Sequence, residues 1–112
     1  MNIENFNQIV SRRFAACEAV LVQKGDEYAT ESDRLHNFKK AGRIKGQDPV
    51  QALDGMWLKH LVSIDDIIER MINDPLFVPD QDLMREKLGD NINYTVLLEG
   101  LIEDRRASLP VV

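Results

Sequence analysis

Between Leu53 and Ile72 the chain sets large apolar residues at Leu53, Met56 and Trp57, Leu61, Ile64, Ile67 and Ile68, Met71 and Ile72. Steps of three and four put them on one side of a helix, whereas a half-buried strand needs strict alternation. Both ends of the run are marked. Asp48 before Pro49 reads as an N-cap followed by a proline at the first helical position, and Asn73-Asp74-Pro75 stops the helix. A long helix with one apolar side needs other helices to cover that side. Two further runs supply them, from Ile3 to about Gln23 and from an Asp80 cap to about Ala107. A shorter helix lies between the first two long ones, with Ser32 or Asp33 as its N-cap and Gly42 or Gly46 at its end. No repeat, low-complexity segment or strand pattern interrupts this order. The expected architecture is all-α, a four-helix bundle of three long helices and one short one, in a single domain over residues 1–112. Leu76, Phe77 and Val78 in the last connection are expected to seal one end of it. Wide apolar faces on the long helices predict a homo-oligomer.

With 44% hydrophobic and 29% charged residues, the composition is that of an ordinary globular domain. A net charge of −5 argues against direct nucleic-acid binding and against anionic membranes, which both select a positive face. No stretch approaches the roughly 18 continuous apolar residues of a membrane span. The one cysteine, Cys17, falls in the apolar stripe of the first helix and is read as a small buried hydrophobe. With no basic leader before an apolar run, the expected location is cytoplasmic.

Two regions depart from simple packing. Glu86, Asp90 and Asn93 share one narrow stripe of the last helix, continuous with Leu97 and Leu101, so two carboxylates sit in line with leucines at the rim of its apolar arc. Acids four residues apart repel unless a cation, a proton or a basic side chain lies between them. Mg²⁺ is one answer, since it is commonly held by one or two carboxylates together with substrate phosphates. The other is an acid pair bridged to a neighbour such as Arg85 or Lys59. The second region, Arg34 to Lys45, is the one basic concentration in an acidic chain, which suits either a phosphate-bearing ligand or a solvated helix. Lys59 can reach a phosphate or the acids of the last helix, or it can extend to solvent. His60, close to the apolar stripe, is read as a border residue, because a lone histidine specifies no catalytic unit. Gly-rich phosphate loops, zinc-spaced ligands and nucleophile elbows are absent, so any hydrolysis would fall to carboxylates, a metal and water.

The segments Lys24-Gly25-Asp26-Glu27-Tyr28, Asp33-Arg34-Leu35-His36-Asn37-Phe38, Lys59-His60 and Glu86 to Tyr94 together resemble small phage-encoded helical proteins. These are associated with nucleotide modification and, more distantly, with MazG-like all-α nucleoside triphosphate pyrophosphohydrolases. The resemblance runs from about Lys24 to Leu98. It implies Mg²⁺ bound by acids from two helices, with water activated to cleave between the α and β phosphorus atoms. The second motif of such enzymes has an acid three residues before an Asp. Here that position is Lys87, and the acid stands one residue earlier at Glu86. The paired glutamates of an early helix are represented only by Asp26 and Glu27. On this reading Glu27, Glu86 and Asp90 are catalytic and hold the metal. Lys24, Arg34 and Lys59 neutralise phosphate, Asn37 and Asn93 read base or ribose edges, and Tyr28, Phe38 or Tyr94 stack on a base. The three aromatics serve equally well as core or subunit contacts. Expected partners are a nucleotide or other phosphorylated small molecule. The alternative is a non-catalytic phage protein that sequesters a nucleotide signal or inhibits a host defence protein through its acidic surface, and Lys87 favours it.

Overall fold

The computed structural model describes residues 1–23 and 33–110. All its regular elements are helical: α1 (Ile3–Glu18) runs into a π-helical turn (Ala19–Gln23), and α2 (His36–Lys45), α3 (Pro49–Asn73) and α4 (Gln81–Ser108) follow. The four helices pack together, α3 against α4 and α2, and α1 against α4. None of them is long and apolar enough to cross a membrane. The expected Ser32 cap lies outside the described residues.

Local chemistry sets the other ends. The Asp48 carboxylate accepts from Val50 N at 2.8 Å with Pro49 in the first turn, and Asp80 accepts from the N–H groups of Asp82 and Leu83 at 3.1 and 3.2 Å. Each satisfies donors that a helix start leaves without partners. Asp33 does something else. Its carboxylate accepts from Leu35 N at 2.9 Å and from Lys39 Nζ at 2.7 Å, so α2 begins at His36 with Leu35 at the cap position. The Lys39 ammonium, followed by the Leu35 N–H, holds the Asp33 carboxyl below its usual range. A carboxyl pKa lowered by folding contributes stability above the unfolded value, about 3.9, and loses it as pH falls through the folded one. The pair is about one-third exposed, so solvent screens it and the contribution is small.

Gly46, at φ +65°, closes α2 in the left-handed conformation that glycine adopts without penalty. Gly42 is needed for a different reason. Gln47 N donates to its carbonyl at 2.7 Å as the chain folds back, and a Cβ at Gly42 would stand 2.5 Å from the Gln47 carbonyl oxygen. Backbone cannot yield as a flexible side chain does. Gly42→Ala is expected to cost about 1–3 kcal/mol and lower the melting temperature by roughly 5–15 °C. Gly55, where a Cβ meets open space, gives the contrast: Gly55→Ala gains helix propensity and should melt at or above wild type. Equal melting of the two variants would show that the close approach at Gly42 carries no weight.

The core is small. Phe38, Leu53 and Leu101 form it, with Leu35, Val50, Trp57, Tyr94, Leu97 and Leu98 packed around them. Burying Leu53 alone contributes about 1.5–3 kcal/mol. On α4 the buried positions are Gly89, Asn93 and Leu101, so the stripe shared with Asp90 and Leu97 is the one turned inward. Leu83, Leu88 and Ile102, which belong to the broader apolar arc of the same helix, are exposed. The reason is tertiary: α2 and α3 cover one side of α4, and α1 reaches Gly89, where Arg13 Nη1 donates to the Arg85 carbonyl at 2.9 Å. The Leu76–Val78 connection seals nothing. Leu76 and Val78 are exposed, and only Phe77 is covered, by the Arg70 guanidinium 3.9 Å above its ring centroid.

Candidate functional site

Where the π-helical turn, α2, α3 and α4 converge, they line a half-open cavity of about 370 Å³. Its size falls near the lower end of the range for small-molecule sites. Val20, Leu21, Phe38, Met56 and Leu97 give it an apolar lining, and Arg34, Asn37, His60, Asp90, Asn93 and Tyr94 add polar groups. Six residues singled out from the sequence therefore meet here: Arg34, Asn37, Phe38, Asp90, Asn93 and Tyr94.

Arg34 stands just before α2 and is fixed through Nε, which donates to the Leu21 carbonyl at 3.3 Å. That bond ties the guanidinium to the π-helical turn. None of the described acids pairs with it. Asn93, on the inward stripe of α4, is 8% exposed, and its buried Oδ1 has no hydrogen-bond partner among the described residues. A buried amide oxygen left unpaired costs about 1–3 kcal/mol, so this oxygen can accept from a donor placed in the cavity.

An aromatic tier forms the α3–α4 side. Trp57 and Tyr94 stack with ring centroids 6.0 Å apart, and the His60 ring lies tilted against Tyr94 with centroids 5.1 Å apart. Burial, and secondarily the Asp90 charge, pushes the Tyr94 phenol above its usual pKa. It is a protonated donor at neutral pH. Asp90 Oδ2 approaches His60 Nδ1 at 3.5 Å, but the geometry makes no hydrogen bond, and Nδ1 has no partner among the described residues. Behind this pair, Asn91 fixes the helices to each other. Its Nδ2 donates to the carbonyls of Lys87 and His60 at 2.9 and 3.1 Å, and its Oδ1 accepts from Trp57 Nε1 at 2.9 Å.

The remaining expected site residues are placed differently. Lys59 is exposed and lines an adjoining groove of about 500 Å³ with Lys45, Gln47, Gln51 and, on the shared wall, Met56 and Tyr94. Glu86, one turn before Asp90, is exposed and does not line the cavity. Lys24, Glu27 and Tyr28 lie outside the described residues. Among the described residues, the one group of three acids close enough to share an ion is Asp65, Asp66 and Glu69, on the exposed side of α3. Glu86 and Asp90 are not in it. His60 was read as a border residue, and nothing local marks it otherwise; only the α3–α4 packing brings it to Asp90. Asn91 is equally silent in sequence, being one more asparagine beside an acid.

Chemically, the cavity offers one cation, one anion, two amides, a phenol and an imidazole against an apolar lining. It can hold a small aromatic, hydrogen-bonding and partly anionic molecule. No family model, curated protein or solved structure matches the chain.

Proposed function

We propose that the protein binds a nucleotide or a related phosphorylated small molecule in this cavity and holds it without turnover, as a sequestering protein would. The supporting observation is the pairing of Arg34 with the unpartnered, buried Asn93 oxygen across an apolar, aromatic-lined space. A guanidinium presents forked donors to phosphate. Asn93 Oδ1 accepts from a base or ribose donor, Asn37 supplies a second amide, and Phe38 or Tyr94 packs on the base. A cavity of this volume takes a nucleoside with its first phosphate, and further phosphates extend outward. The proposal takes the working unit to be a homo-oligomer of MazG-like bundles in the cytoplasm of a phage-infected host.

Metal-dependent pyrophosphohydrolysis is the second reading, favoured by Asp90 in the cavity wall with Glu86 one turn earlier. Mg²⁺ held there would polarise phosphate and activate water. Titration calorimetry and product chromatography on a panel of common, cyclic and modified nucleotides, with and without Mg²⁺, test the two readings. Sequestration expects saturable binding and no product. Phosphate or pyrophosphate release would overturn it in favour of hydrolysis, and a panel in which nothing binds would remove both.

Asp90→Asn gives opposite signs for the two. Without a metal, Asp90 only repels the ligand's phosphate. At a separation of roughly 8 Å and an effective dielectric of about 20–80, this amounts to about 0.5–2 kcal/mol. Sequestration therefore expects the variant to bind roughly two- to thirtyfold tighter. Weaker binding confined to Mg²⁺-containing buffer would instead identify Asp90 as a metal ligand.

A further inference from the structure

Met56 and Tyr94 line both the cavity and the adjoining groove of about 500 Å³, so they form a wall common to the two spaces. The groove is the larger of the two and differs in character. It runs between the end of α2 and the first half of α3, where Lys45 and Lys59 supply two cations and Gln47 and Gln51 two amides. Among the described residues no Asp or Glu lines it, although the chain carries a net charge of −5, and neither lysine pairs with a described acid. A positive hollow in an acidic protein favours an anion.

Gly55 adds a second observation. Glycine inside a 25-residue helix weakens it, and Gly55 has none of the reasons that hold Gly42 and Gly46 in place. Its φ is not positive, and a Cβ built on it meets nothing within 4 Å. Gln51, Gly55 and Lys59 follow at steps of four on one face of α3, so what the missing side chain leaves is room in the groove between the other two.

Arg34 and the groove lysines stand too far apart to share one phosphate. Between Arg34 and Lys45 lies α2, ten residues and so about 15 Å long. A ligand that meets both ends carries two separated anionic groups. The groove also exceeds what a lone phosphate fills, being larger than the cavity that takes a nucleoside with its first phosphate. We propose that the groove holds the second nucleotide of a dinucleotide whose first nucleotide occupies the cavity. This rests on the nucleotide reading above and narrows it to a ligand class. The phosphate of the first nucleotide meets Arg34, and the linking phosphodiester crosses Met56 and Tyr94 toward the lysines, whose flexible stems bring ammonium groups to it. The second nucleoside lies along the open face at Gly55, where Gln47 and Gln51 offer its base both donors and acceptors.

Titration calorimetry at physiological salt tests the proposal with adenosine monophosphate, adenosine diphosphate and the linear adenosine dinucleotide phosphorylated on its first sugar, and with their guanosine, cytidine and uridine counterparts. The diphosphate carries about the same charge as the dinucleotide but keeps it at one end. For the preferred base, wild type is expected to bind the dinucleotide at least about tenfold tighter than either mononucleotide. Gly55→Glu places bulk and negative charge in the groove without meeting the protein. It is expected to bring dinucleotide affinity down to that of the monophosphate, to leave the monophosphate within about twofold, and to melt no lower than wild type. Gly55→Gln, which adds bulk without charge, should act in the same direction. Lys45→Gln is expected to weaken the dinucleotide roughly two- to fivefold, the range of an exposed ion pair. A wild type that binds the monophosphate but the dinucleotide no tighter would overturn the second subsite and leave the cavity reading standing. Tighter dinucleotide binding that both Gly55 variants leave unchanged, or a loss that they impose equally on the monophosphate, would overturn its place in this groove. A wild type that binds none of the probes would remove the nucleotide reading and this inference with it.

Discussion

Asn91→Asp is expected to lower the melting temperature by roughly 10–20 °C at pH 7, a loss of about 2–4 kcal/mol. The change is nearly isosteric, so the effect is one of donors and charge. In the wild type, Nδ2 gives one N–H to the Lys87 carbonyl at 2.9 Å and one to the His60 carbonyl at 3.1 Å. A carboxylate keeps the Trp57 Nε1 bond through one oxygen but sets the other against two carbonyl oxygens, where it repels both. Folding would therefore raise the pKa of the new carboxyl. A raised carboxyl pKa penalises the folded state fully above the folded value; the penalty fades as pH falls from there toward the unfolded value, about 3.9, and is gone below it. The difference from wild type should thus be largest at neutral pH and shrink toward pH 4. It will not vanish, since a protonated carboxyl donates only one of the two bonds. Thermal melts of both proteins across that range are the measurement, and coincident melts at pH 7 would show that the amide does not pin α3 to α4. The pin matters for the site because His60 and Asp90, the neighbours of these bonds, form its wall.

Asn91 also shows where reading a sequence stops. Helix starts at Asp48-Pro49 and Asp80 were legible because capping is local, needing only a side-chain oxygen and the next few N–H groups. Asp33 has the same local signature and acts otherwise: its two oxygens accept separately from Leu35 N and Lys39 Nζ, and α2 starts at His36 with Leu35 at the cap position. The burial of Cys17 followed from its place in a stripe. On α4 the stripe logic reached its limit. Apolar residues occur around most of that helix, so periodicity names several faces, and only the positions of α1, α2 and α3 decide which is covered. The stripe of Asp90, Asn93, Leu97 and Leu101 turned inward, carrying the acid to the cavity and leaving Glu86 in solvent. Arg34, Asn37 and Phe38 could be listed together from one short polar segment, and Asn93 and Tyr94 from another. That His60 would stand between them depends on the register of α3 against α4, which no residue type encodes.

Arg34→Gln carries the largest expected effect on ligand binding. A charge-assisted hydrogen bond contributes about 1.5–3 kcal/mol, so replacing the guanidinium by an amide should weaken nucleotide binding by roughly 10- to 150-fold. The substitution has a second consequence, because Arg34 Nε also donates to the Leu21 carbonyl at 3.3 Å and so shapes the π-helical turn beside the cavity. The two contributions separate when nucleotide and matching nucleoside are measured on the same proteins. If Arg34 acts on phosphate, the variant loses affinity for the nucleotide while its weaker nucleoside affinity stays within about twofold. Added salt should then weaken wild-type binding and leave the variant nearly unchanged, since screening acts on a charge the variant lacks. If Arg34 acts only by holding Leu21, both ligands lose affinity together and the salt dependence of the two proteins is the same. Equal loss would leave Asn37, Asn93 and the aromatic tier as the recognition elements and remove phosphate from the description of what the cavity selects.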